Sequence, residues 1–233
     1  MYNEEEVILC CYKSLVETTS VIDDDFEFIF VDDGSKDKSS TIVEALQIKD
    51  SRIILLTLSR NFGKEAAVTA GLDQCKGDAV IIIDSDLQDP PSFFPEMIAA
   101  WKAGADIVCM RRRSREGETA FKKASAHIFY RFLNYLSEVD IPEDVGDFRL
   151  MSKRVVESIS RLPERSRYMK GIFAWVGYDP VFIDYERQAR EAGTTKWNYA
   201  GLFKLAFEGI TSFSVAPLRW MVVIGLITAT GGF

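Results

Sequence analysis

This chain has little histidine and no C-x-x-C cysteine pair, the residues that build most zinc sites and many hydrolytic active sites. The single histidine among 233 residues is His127, and a packing role within an amphipathic helical pattern explains it best. Most Ser-His-Asp arrangements and His-ligated metal sites are thereby excluded. The four cysteines show no C-x-x-C spacing, so we interpret them as small buried hydrophobic residues in a reducing compartment. An enzyme built from this chain must work with carboxylates, amides, arginine and lysine.

Several binding signatures are also missing. Neither G-x-G-x-x-G nor G-x-x-x-x-G-K-[ST] occurs, which excludes the dinucleotide fingerprint and the P-loop. The net charge of −7 argues against nucleic acid as the main partner. Glutamates at positions 4–6 stand where a signal peptide would need basic residues. The hydrophobic share of 47% does support a sizeable core.

Residues 79–91 carry the strongest local signal. Val80–Ile83 is short, apolar and β-branched, which is typical of a strand buried on both faces of a parallel sheet. Acidic side chains and two prolines follow it. Ligands of open α/β sheets bind beyond the carboxyl ends of the strands, so Asp84, Asp86 and Gln88 could hold Mg²⁺ or Mn²⁺ and through it a phosphate. A solvated acidic turn explains the same residues equally well at this point.

Strands and helices alternate through the first 110 residues. Strands are predicted at 26–31, 52–58, 80–83 and 106–110, and helices at 41–46, 65–74 and 95–102. This alternation predicts a mostly parallel, doubly wound α/β sheet flanked by helices. Acids end the strand at 26–31, and a loop with two cations at 59–64 follows the next strand, where it could reach phosphates.

The chain becomes more basic beyond residue 110. Residues 111–131 hold seven cations against two glutamates, a local balance of +5, and the helical pattern at 120–136 has a broad apolar face. A membrane-surface helix and a helix packed on its own domain fit this pattern equally well. A helix is also predicted at 153–159 and a strand at 178–185. The polar loop 187–197 could close over a diphosphate, although an ordinary solvated loop is the simpler interpretation.

The carboxyl-terminal residues form an uncharged segment. Met221–Phe233 contains thirteen residues, fewer than the roughly twenty that a bilayer-spanning helix needs. Arg219 and Trp220 resemble an interfacial anchor in front of it. We therefore predict a juxtamembrane amphipathic region at 197–219 and the start of a truncated transmembrane helix at 220–233. A core helix or a strand is the alternative.

Six motifs occur in the order found in family 2 glycosyltransferases. They are Tyr2-Asn3-Glu4-Glu5, Val31-Asp32-Asp33-Gly34-Ser35, Arg60-Asn61-Phe62-Gly63-Lys64, Asp84-Ser85-Asp86-Leu87-Gln88-Asp89-Pro90-Pro91, Gly146-Asp147-Phe148-Arg149-Leu150-Met151 and the loop Arg187–Trp197. The set covers nearly the whole chain and most resembles the polyprenyl-phosphate glycosyltransferases, which include bactoprenol glucosyltransferases and dolichol-phosphate mannose synthases. The strand that usually precedes the Tyr-Asn-Glu motif and complete transmembrane helices are missing, which we interpret as truncation.

The resemblance implies a GT-A fold and a role for individual residues. The expected catalytic domain spans 1–196, with a nucleotide-binding part at 1–110 and an acceptor part at 111–196. The implied nucleotide pocket contains Tyr2, Glu4, Asp32, Asp33, Lys64 and Asp84, and the implied ligands of Mg²⁺ or Mn²⁺ are Asp84, Asp86 and Gln88. The implied diphosphate and acceptor residues are Arg111, Arg149, Arg187, Arg190, Thr195 and Lys196. Asp147 matches the family's catalytic acid position.

The implied activity is inverting transfer of a hexose from a nucleotide sugar to a polyprenyl phosphate such as undecaprenyl phosphate, at the cytoplasmic face of the membrane. The residues of the motifs at 86–91 and 146–151 look closer to those of the bactoprenol glucosyltransferases, which favours UDP-glucose. A dolichol-phosphate-mannose-type synthase using GDP-mannose is the alternative. A processive polysaccharide synthase would need Q-x-x-R-W, and a haloacid-dehalogenase-like phosphatase would need Thr or Val in place of Gln88. Intact Asp84, Asp86 and Asp147 argue against a non-catalytic nucleotide-sugar-binding membrane protein. The oligomeric state, including a homo-oligomer, stays open.

Overall fold

The computed structural model describes residues 1–112, 145–163, 167–185 and 216–231. Of these, 1–112, 145–163 and 176–185 belong to one compact unit, and 167–175 and 216–231 belong to a second. The strands are β1 (Phe28–Asp32), β2 (Ile53–Thr57), β3 (Ala79–Ile82), β4 (Ile107–Arg112), β5 (Val145–Ser152) and β6 (Pro180–Tyr185). The α-helices are α1 (Ile8–Thr19), α2 (Ser39–Gln47), α3 (Lys64–Gln74), α4 (Phe94–Lys102), α5 (Lys153–Ser160), α6 (Met169–Trp175) and α7 (Ala216–Gly231), and a short 3₁₀ helix covers Pro91–Phe93.

The strands of the described residues form two sheets, of which the first is parallel and the second mixed. β1 and β2 pair in parallel. The second sheet has the order β3-β5-β4-β6, in which β5 runs antiparallel to both neighbours while β4 and β6 are parallel. The predicted mostly parallel sheet is therefore wrong, because two of these four pairings are antiparallel. The residues of β5 include a glycine and two charged side chains, so their apolar pattern did not predict a strand.

The register between β3 and β5 brings two distant acids together. Ile82 pairs with Arg149 as the last pair of this antiparallel ladder. The same register continued by two residues places Asp84, just after β3, opposite Asp147 in β5. Side chains two residues apart in a strand lie on the same face of the sheet. The antiparallel insertion of β5 thus joins a motif from the first half of the chain to one from the second.

The core of the first unit joins three helices to both sheets. Buried side chains of α1, α2, α4, β1, β4 and β5 form one cluster, including Ile8, Leu15, Phe30, Val43, Met97, Val108, Phe148 and Leu150. Phe148 and Leu150 expose at most 1% of their surface, because this face of β5 packs within the core cluster. The predicted burial holds for Cys11 and Cys109, whereas Cys10 is exposed. The predicted helices and strands of the first 110 residues are confirmed with small shifts at their ends.

The second unit contributes α6, which the sequence did not predict, and α7. Within α7, Met221, Val222 and Ile227 are each more than half exposed. Among the residues described, none of the helices combines the length and the apolar character that crossing a membrane needs. Residues 197–215 of the predicted juxtamembrane region 197–219 lie outside the described residues. The predicted membrane segment at 220–233 stays a prediction.

Tyr185 in β6 anchors the turn that follows β3. Its hydroxyl donates to Asp89 Oδ1 at 2.6 Å, and the two residues are only 3% and 2% exposed. Desolvation, together with the charge of Asp89, raises the pKa of Tyr185 to about 12, so the hydroxyl remains a donor at neutral pH. Tyr185→Phe removes a donor from a buried carboxylate and should lower the free energy of unfolding by about 1–3 kcal/mol, measured by urea denaturation.

Tyr178→Phe is the matched control for this prediction. Its hydroxyl lies 3.1 Å from that of Ser158 at a partly buried position, so no buried carboxylate loses a donor. We expect a smaller loss of stability from Tyr178→Phe than from Tyr185→Phe. Equal losses would contradict a special role for the bond between Tyr185 and Asp89.

Candidate active site

The first residues of the chain form hydrogen bonds with the segment that follows β1. The Asn3 amide donates to Ser35 Oγ at 2.9 Å, and the Glu4 amide donates to Ser39 Oγ at 2.8 Å. These bonds cross more than thirty residues of sequence. They place the backbone of Tyr2 and Glu4, two of the predicted nucleotide-binding residues, beside the carboxyl end of β1.

Asp32 is a buried support of the turn that leads into α2. It is 1% exposed, and its Oδ1 accepts a 2.5 Å hydrogen bond from Ser35 Oγ. The hydroxyl of Ser40 donates to the other carboxylate oxygen. The predicted nucleotide contact of Asp32 stays a prediction, and the observed contacts show that this carboxylate also orders its own loop.

Asp33 holds the loop between β2 and α3. Its two oxygens accept the amide hydrogens of Phe62 and Gly63 at 2.7 and 2.9 Å. The two loops also touch through Gly34, which has a φ of +70° and on which a Cβ would lie 2.6 Å from the carbonyl carbon of Arg60. Only glycine tolerates both the left-handed backbone and this close approach. The start of α3, and with it Lys64, is therefore held at the carboxyl end of β1.

Lys64 links the ends of β3 and β5. Its Nζ lies 2.7 Å from Asp84 Oδ1 and 2.7 Å from Asp147 Oδ2. Desolvation, the largest single effect, lowers the pKa of Lys64, but the attraction of Asp147 and Asp84 outweighs it and raises the pKa above its ordinary value. The ammonium is therefore fully charged at neutral pH and balances one of the two facing carboxylates.

The turn after β3 has a strained backbone. Leu87 adopts a φ of +58°, and the Gln88 amide donates to Asp86 Oδ1 at 3.1 Å. A left-handed non-glycine residue costs on the order of 1–3 kcal/mol and persists where the surrounding structure enforces it. Leu87 packs against the hydrophobic core, which offsets part of this cost. Asp84 and Asp86 are thus presented by a turn that the core and Tyr185 hold in place.

The chemistry of these side chains fits a divalent ion shared with a phosphate. Among the described residues, no group of three or more His, Cys, Asp or Glu side chains is arranged to hold a metal. Mg²⁺ is commonly bound through one or two carboxylates with substrate phosphates and water completing its octahedron. Asp84 and Asp86 supply such a partial set, and the ammonium between Asp84 and Asp147 shows that this edge attracts positive charge.

A family comparison decides the class of protein that carries this site. The model of the family described as glycosyl transferase family 2 matches residues 1–160. The chain belongs to glycosyltransferase family 2. This glycosyltransferase is 47% identical over 233 residues to the bactoprenol glucosyl transferase of Shigella phage SfV, covering all of this chain and 76% of that protein. It is 46% identical over 228 residues to an uncharacterized glycosyltransferase of Synechocystis sp., covering 97% of this chain and 71% of that protein.

Solved structures show the same fold. The glucosyl-3-phosphoglycerate synthase of Mycobacterium tuberculosis, solved with Mn²⁺, UDP-glucose and phosphoglyceric acid, matches with a TM-score of 0.54 at 18% identity. The match covers 90% of this chain and 74% of that one. This glycosyltransferase therefore has a GT-A-like α/β fold, as the resemblance implied, with the mixed strand directions described above.

Two predicted arginines of the glycosyltransferase occupy different environments. Arg149 is 5% exposed, and its Nη2 donates to the carbonyl of Gly146 at 2.8 Å. Desolvation lowers the pKa of this buried guanidinium. Arg111 is half-exposed, lies 2.7 Å from Asp184 and has its guanidinium 5.2 Å from the ring centre of Phe182. The first is a buried cation of the central strand, and the second is an accessible cation at the end of β4.

The structure brings one part of the predicted site together, and another part lies outside the described residues. Lys64, Asp84 and Asp147 are in direct contact, and the turn with Asp86 and Gln88 adjoins them. Sequence reasoning included Arg112 only in the cationic segment 111–131 and not among the individual site residues. Its buried Nε has no hydrogen-bond partner among the described residues, and its Nη2 would lie 3.4 Å from a Cβ on Gly146. It is one of three consecutive arginines, so no sequence signal singled it out. The predicted loop residues Arg187, Arg190, Thr195 and Lys196 lie outside the described part of the chain.

Proposed function

We propose that this chain transfers glucose from UDP-glucose to a polyprenyl phosphate, with inversion at the anomeric carbon. The observation that carries the proposal is the contact of Lys64 with both Asp84 and Asp147, which joins three family motifs at one edge of the sheet. The relatives named bactoprenol glucosyl transferase, at 46–47% identity over the full length of this chain, support glucose and a polyprenyl acceptor.

The donor half of the site neutralises a leaving nucleotide. Asp84, Asp86 and Gln88 would hold Mg²⁺ or Mn²⁺, which would supply positive charge to the departing diphosphate. Lys64 supplies a second cation within reach of the same place. Tyr2, Glu4, Asp32 and Asp33 hold or line the loops in which the nucleoside is expected to bind.

The acceptor half requires little proton transfer. A phosphomonoester has a second pKa near 6, so a lipid phosphate is largely dianionic at neutral pH and attacks without a general base. Asp147 already accepts a contact from the Lys64 ammonium. This favours a role in which Asp147 orients the cations around the reacting phosphates. Arg149 and Arg111, with Arg187, Arg190, Thr195 and Lys196, are the proposed diphosphate and acceptor ligands.

A lipid acceptor places the enzyme at a membrane, and we propose its cytoplasmic face. The seven cations among residues 111–131 suit an anionic surface. The exposed apolar side chains of α7 suit a lipid environment. Co-sedimentation with anionic vesicles tests this part of the proposal, and it fails if the chain does not bind them at low salt.

A donor panel tests the proposed reaction. The chain is incubated with undecaprenyl phosphate in detergent, with Mn²⁺ or Mg²⁺, and with UDP-glucose, UDP-galactose or GDP-mannose. We expect metal-dependent formation of the glucosyl lipid and loss of product on addition of EDTA. Transfer from GDP-mannose alone would establish the mannose alternative, and no transfer from any donor would contradict the proposal.

Arg111 provides a test of the acceptor side. Arg111→Glu reverses the charge at the end of β4 and sets it beside Asp184, so we expect the KM for the lipid phosphate to rise about tenfold. The KM for UDP-glucose should change less than about twofold. Arg154→Glu is the matched control, because Arg154 pairs with Asp106 at the opposite end of β4 and neither KM should change. An unaltered lipid KM in Arg111→Glu would contradict the assignment.

A further inference from the structure

We propose that Lys64 makes binding of the divalent ion depend on the donor nucleotide, because its ammonium occupies the carboxylate that the ion needs. The inference rests on the proposed function, in which Asp84 is a metal ligand. It adds a coupling to that function. The nucleoside diphosphate and the ion bind together, and Lys64 changes its partner when they do.

The ammonium of Lys64 contacts both carboxylate oxygens of Asp84. Its Nζ lies 2.7 Å from Oδ1 and 2.8 Å from Oδ2 of Asp84, so both oxygens face the ammonium. It also lies 2.7 Å from Asp147 Oδ2. A magnesium ion needs ligand oxygens at about 2.0–2.1 Å. The ion and the ammonium therefore compete for the same oxygens of Asp84.

The charges of the site explain why the nucleotide resolves this competition. Asp84, Asp86, Asp147 and Lys64 together carry two negative charges, so a divalent ion added alone brings the group to neutrality while the ammonium still lies at Asp84. Repulsion between the ion and a nearby ammonium opposes such binding. A nucleoside diphosphate brings its own negative charges and offers the ammonium a new anionic partner. Each ligand should then raise the affinity for the other by the same factor.

The backbone geometry lets the side chain of Lys64 move while its Cα stays in place. Gly63, directly before it, is held by the bond to Asp33 at 2.9 Å. Lys64 begins α3, and its flexible four-carbon stem carries a compact point charge. A change of partner from Asp84 to a phosphate needs only rotation of that stem, while the Asp147 contact can be retained.

Binding of Mn²⁺ without turnover tests the inference. The full chain is titrated with Mn²⁺, and the free ion is followed by electron paramagnetic resonance with and without saturating UDP. For the wild-type protein we expect the Kd for Mn²⁺ to fall at least tenfold when UDP is present. Lys64→Met should bind Mn²⁺ without UDP at least tenfold more tightly than the wild-type protein. Lys64→Arg retains the positive charge and should stay within about threefold of the wild-type value.

Two outcomes would overturn the inference. The first is an Mn²⁺ affinity of Lys64→Met, without UDP, that equals or falls below that of the wild-type protein. If Lys64→Met does not fold, Lys64→Gln, which keeps a hydrogen-bond donor but no charge, gives the same comparison. The second is an absence of Mn²⁺-dependent UDP binding by the wild-type protein, which overturns the proposed metal site as well. If UDP tightens Mn²⁺ binding in the wild-type protein but the Lys64 variants have the wild-type Kd for Mn²⁺, this inference alone is overturned.

Discussion

Asp147→Asn is expected to lower kcat for glucosyl transfer by about 100- to 1,000-fold while the Kd for UDP changes by less than about threefold. The Asp147 carboxylate lies 2.7 Å from Lys64 Nζ and its side chain is 20% exposed. Asparagine keeps the size of the side chain but removes the charge that orients Lys64 toward the reacting groups. Lys64 still has Asp84 as a partner, so the donor pocket should persist. Steady-state turnover with saturating lipid phosphate and calorimetric titration with UDP measure the two quantities.

Asp24→Asn is the control for a charge removed from an acidic residue. Asp24 pairs with Lys102 at 2.7 Å on the surface of the first unit, where a single ion pair contributes about 0–1 kcal/mol. Its kcat should remain within about twofold of the wild-type value. If Asp147→Asn turns over at the wild-type rate, Asp147 has no direct part in catalysis.

Asp84→Asn should remove Mn²⁺-dependent binding of UDP and lower kcat/KM by about 1,000-fold or more. The physical reason is that the residue is the proposed charged ligand of the ion and the ion stabilises the leaving diphosphate by several kcal/mol. The uncharged amide oxygen of asparagine binds a divalent ion more weakly than a carboxylate does, and it no longer pairs with Lys64 as an anion. The effect should therefore appear in UDP affinity with Mn²⁺ and be small in UDP affinity without it. Calorimetry with and without Mn²⁺ separates the two.

Asp73→Asn is the matched control within the same unit. Asp73 is an exposed residue near the end of α3 and lies outside the motifs of the site. It should leave the dependence of UDP binding on Mn²⁺ unchanged. Retention of that dependence in Asp84→Asn would place the metal on other residues and contradict the proposed ligand set.

The order of strands and helices in the first 110 residues could be predicted from local sequence patterns. Short β-branched runs indicated the buried strands, and the acids and glycines that follow them marked the strand ends. β3 and its turn were predicted in this way because nearly every residue of the pattern serves either burial or strand termination. The same reasoning failed for β5, because the charged side chains that we propose for the site interrupt the apolar pattern of a central strand.

The roles of the acids were only partly readable. Asp32, Asp33 and Asp84 all lie at strand ends and look alike in sequence. The structure separates them, because both oxygens of Asp33 accept the amides of Phe62 and Gly63 while Asp84 is partly exposed and faces Lys64. Hydrogen-bond partners from a neighbouring loop cannot be inferred from the spacing of residues along one strand.

The sequence by itself determined the chemistry available at the site, which is carboxylates, amides and cations without histidine or cysteine ligands, and it determined which strand ends carry them. Only the tertiary structure decided that Asp84 faces Asp147 and that Lys64 lies between them. The physical reason is that strand pairing is chosen by the edges and faces left open once the other elements have packed. β5 returns to the sheet antiparallel between β3 and β4, and this register, which no local pattern encodes, brings the two acids together.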